Sequence, residues 1–211
     1  MMPLDHTLDH IVCAVPNLEQ AVADFAEKAG VQPIIGGKHP QHGTKNALVC
    51  LGTGSYLEFL AVDEENDKVS APRWMGVDLI EKPQIVRWAI KSFDLPRDQK
   101  ILRRYHPDLG EIAEGSRRTP TGDTLRWSMT LPLPDPAVEL MPFMCDWRAS
   151  DLHPTDTMGL QTKILALGFL HPEPEKINAV FTELHLRSDV VKGEKPLIIA
   201  KILTPNGILT L

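Results

Sequence analysis

The stretch LDHIVCAVPNLEQAVADF, Leu8 to Phe25, decides the fold. Its first half alternates. Leu8, His10, Val12 and Ala14 share one face and Ile11, Cys13 and Val15 the other, the pattern of a strand covered on both sides. Pro16 and Asn17 break the run, and Leu18, Ala21, Val22, Phe25 and Ala29 then recur at helical spacing, with Asn17 placed to cap the helix and Gly30 to end it. A strand therefore feeds an amphipathic helix, and that strand carries an ionisable His10 on a face about to be buried.

Downstream, VQPIIGG and KHPQHGTKN (31–46) are dense in turn residues, and ALVCLG (47–52) and SYLEFLAV (55–62) form a hairpin about Gly52, Thr53 and Gly54. The first 62 residues read β-α-β-β-β, with a second strand near Val31–Gly36. After the acidic run VDEENDKVS (62–70) and a helix-like segment near Pro72–Lys82, IVRWAIKSFDLPRDQKILRRY (85–105) repeats the order of strand, break and helix, SFDL answering to VPNL. TLRWSMTL (124–131) and VELMPFMCDW (138–147) then supply two more strands. The segment from Leu160, ending in KPLIIAKILTPNGILTL, reads as a shortened third β-α-β-β unit.

The predicted fold class is α+β, two βαβββ modules over about 8–62 and 84–147 within a domain of residues 1–154, followed by a carboxyl-terminal extension, 155–211, packed on the same domain.

The chain has 211 residues with a formal net charge of -6, and its lysines and arginines are scattered, which argues against a nucleic-acid partner. No run of about 18 apolar residues exists to cross a membrane, and the amino terminus lacks the basic and apolar regions of a signal peptide, so a cytoplasmic protein is expected. Cys13, Cys50 and Cys145 lie in apolar runs without CxxC spacing and read as buried small hydrophobes in a reducing compartment. GxSxG, P-loop, HExxH and GxGxxG patterns do not occur.

Glu58 sits between Leu57 and Phe59, with no other charge before Asp63. A carboxylate there is costly unless a cation, a metal or several donors compensate it. If its strand neighbours that of His10, the two converge on one site, and such an N/O pair suits Zn, Ni, Fe or Mn. A lone strand histidine is more often a hydrogen-bonded core residue, and Glu58 pairing with His10 itself or with an arginine would explain both residues without metal.

LDHIVCAVPNLEQAVADF, followed by GGKHPQHGTKNALVCLG and YLEFLAV, resembles the glyoxalase-like domain family of the vicinal oxygen chelate superfamily. The resemblance implies two modules cupped into a half-open barrel with a cleft, divalent metal ligands on the first and last strands of each module, and a homodimer. It places metal ligands at His10 and Glu58. It also matches His39, Gly43, Thr44 and Asn46 to the family's loop pattern. In the second module, Arg87 or Trp88 falls at the histidine position and Phe143 or Asp146 at the glutamate position, so the second ligand pair is missing. Arg87 is then expected to reach the cleft and pair with Glu58 or an anionic ligand.

The expected ligand is a small, anionic metabolite. His39, His42, Thr44, Asn46, Arg87, Trp88, Arg126, Trp147 and His153 are the candidate substrate-binding residues, and Glu58, His39 and Asp146 the candidate catalytic ones, with Asp146 and His153 as an acid/base pair at the rim. Arg117 and Arg118 flank a TPTGD turn and read equally as a solvated hairpin tip. The implied chemistry is that of a metal-dependent lyase, isomerase or dioxygenase. The alternative is a metal-free cleft, lined by Trp88, Trp127 and Phe143, that sequesters a small molecule.

Overall fold

The computed structural model of the chain describes residues 7–118, 122, 124–135 and 137–211. His6, the TPTGD turn apart from Gly122, and the side chains of Arg117 and Arg118 lie outside the described residues. The first module runs β1 (Leu8–Ala14), α1 (Leu18–Ala29), β2 (Ile34–His39), β3 (Thr44–Gly52) and β4 (Ser55–Val62). Asn17 Oδ1 accepts the Gln20 N–H at 2.8 Å to start α1, and Gly30, at φ 70°, closes it in the left-handed conformation. The second module repeats the plan with β5 (Gln84–Lys91), α2 (Leu95–Tyr105), β6 (Ile112–Arg118), β7 (Thr124–Thr130) and β8 (Phe143–Asp146). Asp94 caps α2 as Asn17 caps α1, accepting the Arg97 N–H at 3.2 Å.

These strands form one sheet in the order β2-β3-β4-β1-β5-β8-β7-β6. Within each module the first strand pairs parallel with the last, β1 with β4 and β5 with β8, while β1 and β5 pair antiparallel and join the modules. The sheet curls into a half-barrel whose edge strands β2 and β6 approach each other. Its outer face packs on the helices through Ile11, Phe59, Trp88 and Ile90, Phe59 meeting Phe25 of α1 at 5.3 Å, and its inner face carries Val12, Leu60, Val86, Ala89, Met129 and Phe143.

The third unit is fuller than the sequence suggests: β9 (Lys163–His171), α3 (Pro174–Glu183), β10 (Val190–Lys192), β11 (Leu197–Thr204) and β12 (Gly207–Thr210) form a separate sheet in the order β10-β9-β11-β12. Phe169 and Phe181 from this unit meet the Trp88 ring at centroid distances of 4.7 and 5.7 Å, which seals the outer core.

Four elements depart from the sequence reading. The second strand begins at Ile34 rather than near Val31. Strand β6, in the polar run IAEGSRR, has no apolar alternation to announce it and owes its place to pairing with β7. The last strand of the second module is confined to Phe143–Asp146, because just before it the Met141 N–H turns to Glu139 Oε1 at 2.9 Å and Pro142 has no N–H to give. The helix expected near Pro72–Lys82 is a short 3-10 segment, Trp74–Leu79, broken by Met75 and Gly76 at φ 60° and 68°. That segment folds over the concave face and presses Met75, 2% exposed, into it.

Candidate functional site

The parallel pairing of β1 with β4 sets Val12 beside Glu58 and His10 beside Tyr56, so His10 and Glu58 project from neighbouring strands onto the concave face. His10 Nε2 stands 3.7 Å from Glu58 Oε2. Asn46, on β3, donates from Nδ2 to Glu58 Oε1 at 2.6 Å and lies 3.5 Å from His39 Nε2. His39 Nδ1 meets Thr44 Oγ1 at 3.0 Å, and the Trp74 indole N–H donates to the same oxygen at 3.4 Å. The His10 ring is clamped flat on Tyr56, centroids 4.6 Å apart, with Phe143 edge-on at 5.1 Å. Both His10 and Glu58 are buried, so the pair is desolvated as well as aligned.

Behind His10 lies Asp9, wholly inaccessible to solvent. Its Oδ1 takes the His10 Nδ1 at 2.6 Å, and its Oδ2 takes the Trp147 indole N–H at 2.9 Å and His153 Nε2 at 3.3 Å. Burial alone would raise the Asp9 carboxyl. The hydrogen bonds and charges of His10 and His153 outweigh it and hold the group at about 2, against an ordinary 3.8. Because the unfolded chain takes up this proton at a higher pH than the folded one, the stabilisation is complete above about pH 4 and disappears as the pH falls towards 2. Urea unfolding of the native chain and Asp9→Asn between pH 5 and pH 2 is expected to show the native chain losing about 2 kcal/mol more than the variant.

The concave face holds two adjoining spaces that share wall residues. The inner chamber, about 40 Å³, has His10, Asn46 and Glu58 in its wall and room for a few atoms. The outer cleft, about 590 Å³, carries His42 and Arg126 on its walls and is of the size that takes a metabolite. His39, Trp74, Trp127 and Met129 border both spaces. His42 lies parallel to Trp74 with centroids 3.6 Å apart, and burial together with the nearby His39 pushes its imidazole down to about 4. Trp127 lies flat across Gly115 on the next strand, where an added Cβ would come within 2.3 Å of the indole. Gly115→Val is therefore expected to cost about 1–3 kcal/mol in urea unfolding and to shift tryptophan emission as Trp127 leaves the wall.

The fold thus brings together His10, Glu58, Asn46 and His39 around the inner chamber and places His42 and Arg126 on the outer cleft. Thr44 is fully buried and orients His39 and Trp74. Trp147 borders the chamber, and Trp147 and His153 both reach Asp9. Three assigned residues lie elsewhere. Arg87 does occupy the strand position equivalent to His10, but its guanidinium turns away and donates to the carbonyls of Val86, Leu133 and Ala137 at 2.7, 2.8 and 3.1 Å. Trp88 points to the outer core and donates to Leu140 O at 2.7 Å. Asp146 is held by Arg148 at 2.9 and 3.0 Å, which also lowers its carboxyl, and His153 pairs with Asp9 instead. Asp9, Tyr56 and Trp74 join the site beyond the residues the sequence assigns to it; an aspartate adjoining His10 in an apolar run is a legible signal for the first of them.

Asp9, His10 and Cys145 offer ligand atoms within 4.8 Å of one another. This trio does not suit a cation, because both Asp9 oxygens already accept N–H donors and His10 Nδ1 is one of those donors. Burial, with the charges of Asp9 and Glu58, pushes the Cys145 thiol far up, away from the thiolate a metal needs. The opposite side of the ring fits better. With Nδ1–H engaged by Asp9, His10 Nε2 is presented to the chamber beside the Glu58 carboxylate, an arrangement in which a carboxylate orients a ligating histidine.

The Glyoxalase-like domain model matches residues 8–185. None of the curated proteins compared matches the chain. Among solved structures, a hypothetical protein from Staphylococcus aureus superposes with a TM-score of 0.67 at 15% identity, covering 98% of each chain. Methylmalonyl-CoA epimerase from Mycobacterium tuberculosis is 19% identical over 66% of this chain and 86% of its own, with a TM-score of 0.43. A hypothetical protein from Bacillus halodurans gives 16% over 71% of this chain and 100% of its own, also at 0.43. With the family model spanning both modules and the paired βαβββ order seen in the sheet, the chain belongs to the Glyoxalase-like domain family.

Proposed function

We propose that the protein binds a small anionic metabolite in the outer cleft and acts on it at His10 and Glu58, as a metal-assisted lyase, isomerase or dioxygenase. The observation that carries this reading is the 3.7 Å gap between His10 Nε2 and Glu58 Oε2, two atoms able to ligate a cation that face each other in a buried chamber. That gap is too long for a hydrogen bond and calls for a cation or a polarised donor between them. His10 Nε2 and Glu58 Oε2 would hold a divalent ion there, whose chemistry is Lewis-acid polarisation of a substrate oxygen. Asn46 keeps Glu58 oriented, His39 borders both spaces, and Arg126 supplies positive charge at the cleft wall.

A second reading, capture of a small molecule without chemistry, draws on the second module. There Arg87 turns away from the cleft and the counterpart of Glu58 is Phe143, so two protein ligands stand where catalytic zinc usually has three. Metal content of protein purified without chelator or affinity-tag metal, compared with His10→Ala/Glu58→Ala, separates the two. The first reading expects about one ion per chain, lost in the double variant. No metal in either protein, and no rise in melting temperature with added Zn, Ni, Fe or Mn, overturns it in favour of the second.

A further inference from the structure

We infer that Trp147 and His153 are positioning residues for His10, acting through Asp9, so that the second module completes the first module's site with a brace. The inference rests on the reading of His10 as the chamber's nitrogen ligand. The path is continuous. Thr155 N–H donates to His153 Nδ1 at 3.3 Å, which leaves the proton on His153 Nε2 to donate to Asp9 Oδ2. Trp147 Nε1–H fills the rest of Oδ2, so Oδ1 is left for His10 Nδ1–H. A carboxylate pinned at both oxygens fixes the tautomer and the plane of the imidazole it accepts from, and His10 Nε2 must then present its lone pair to Glu58.

The surroundings are built to hold this arrangement. His153 stands edge-on to Trp147 and Tyr56, with centroids 5.1 and 5.9 Å away, and Tyr56 in turn stacks on His10. Thr155 Oγ1, which meets His153 Nδ1 at 2.8 Å, also takes the Gly54 N–H at 3.2 Å, tying the brace to the β3–β4 turn. On the far side Trp147 and His153 line a separate space of about 370 Å³ with Lys91, Phe93 and Arg148, so the two rings also stand between Asp9 and that opening. Simple core filling would not need two N–H donors aimed at one oxygen.

The test uses Trp147→Phe/His153→Leu, which keeps apolar bulk and removes both donors, with His153→Gln as the conservative variant that keeps an N–H donor at position 153. Long-range ¹⁵N spectra of the metal-free proteins, recorded where the rings are neutral, report the His10 tautomer, and titration with Ni²⁺ reports affinity. The native ring is expected as the Nδ1–H form. The double variant is expected to show mixed tautomers and an affinity reduced about 10- to 100-fold, with His153→Gln close to native. A native His10 spectrum in the double variant, while Asp9→Ala alters it, overturns the brace. Should the double variant not fold, Trp147→Phe and His153→Leu singly decide by the same spectra. If the native chain binds no Ni²⁺, the metal reading fails, whereas the tautomer spectra still decide the brace.

Discussion

Replacing Arg87 with methionine is expected to lower stability by about 3–5 kcal/mol and the melting temperature by about 6–20 °C, without a direct effect on ligand binding in the cleft. The side chain has no solvent exposure. Burial drives its guanidinium down to about 10, which still leaves it charged near neutral pH, with Glu139 and Asp135 opposing the fall. Its donors reach the carbonyl of Val86 on β5 and those of Leu133 and Ala137, which lie outside the sheet ladders in the segment between β7 and β8. Methionine fills much of the volume but leaves the Leu133 and Ala137 carbonyls without their Arg87 donor, each loss a real cost, while Val86 O keeps the Glu139 N–H. Calorimetry and isothermal binding on the same variant check both halves. A cleft role for Arg87 would show the reverse pattern, weak binding in a stable protein.

Trp88→Ala is expected to cost about 3–5 kcal/mol, measured by urea unfolding, again without a direct effect in the cleft. The ring is 4% exposed and wedged between β5, Phe169 of β9 and Phe181 of α3. Its removal opens a void between the half-barrel and the third unit and strands Leu140 O. Because Phe169 and Phe181 meet at 5.4 Å beside it, Trp88→Phe should recover most of the packing but not the hydrogen bond. If Trp88→Ala left stability intact and abolished binding, the assignment of this ring to the outer core would fall.

Both residues show where sequence reasoning stops. The order strand, helix and hairpin was legible because it rests on local signals: the alternation in LDHIVCAV, the caps Asn17 and Asp94, and the left-handed glycine at the end of α1. So was the inward pairing of His10 and Glu58, since a carboxylate amid Leu57 and Phe59 has to face something. The second module hid its side-chain directions because of one backbone irregularity. Pairing shifts between Val12 and Cys13, opposing Arg87 and Ile85, so Val86 has no β1 partner and simple alternation no longer tells which way Arg87 and Trp88 point. Nor could alternation show that Arg87, though on the strand face of Val12, would be drawn to carbonyls some 46 and 50 residues downstream.

Sequence by itself determined the α+β class, the repeated module and the buried pair at His10 and Glu58, because period, capping and the cost of a desolvated charge are written in neighbouring residues. Only the tertiary structure decided that Asp9 is the hub of the site, that Trp147 and His153 serve it across 138 and 144 residues of chain, and that Asp146 belongs to Arg148. Those contacts join residues far apart in sequence at a distance of one hydrogen bond, and no local pattern encodes them.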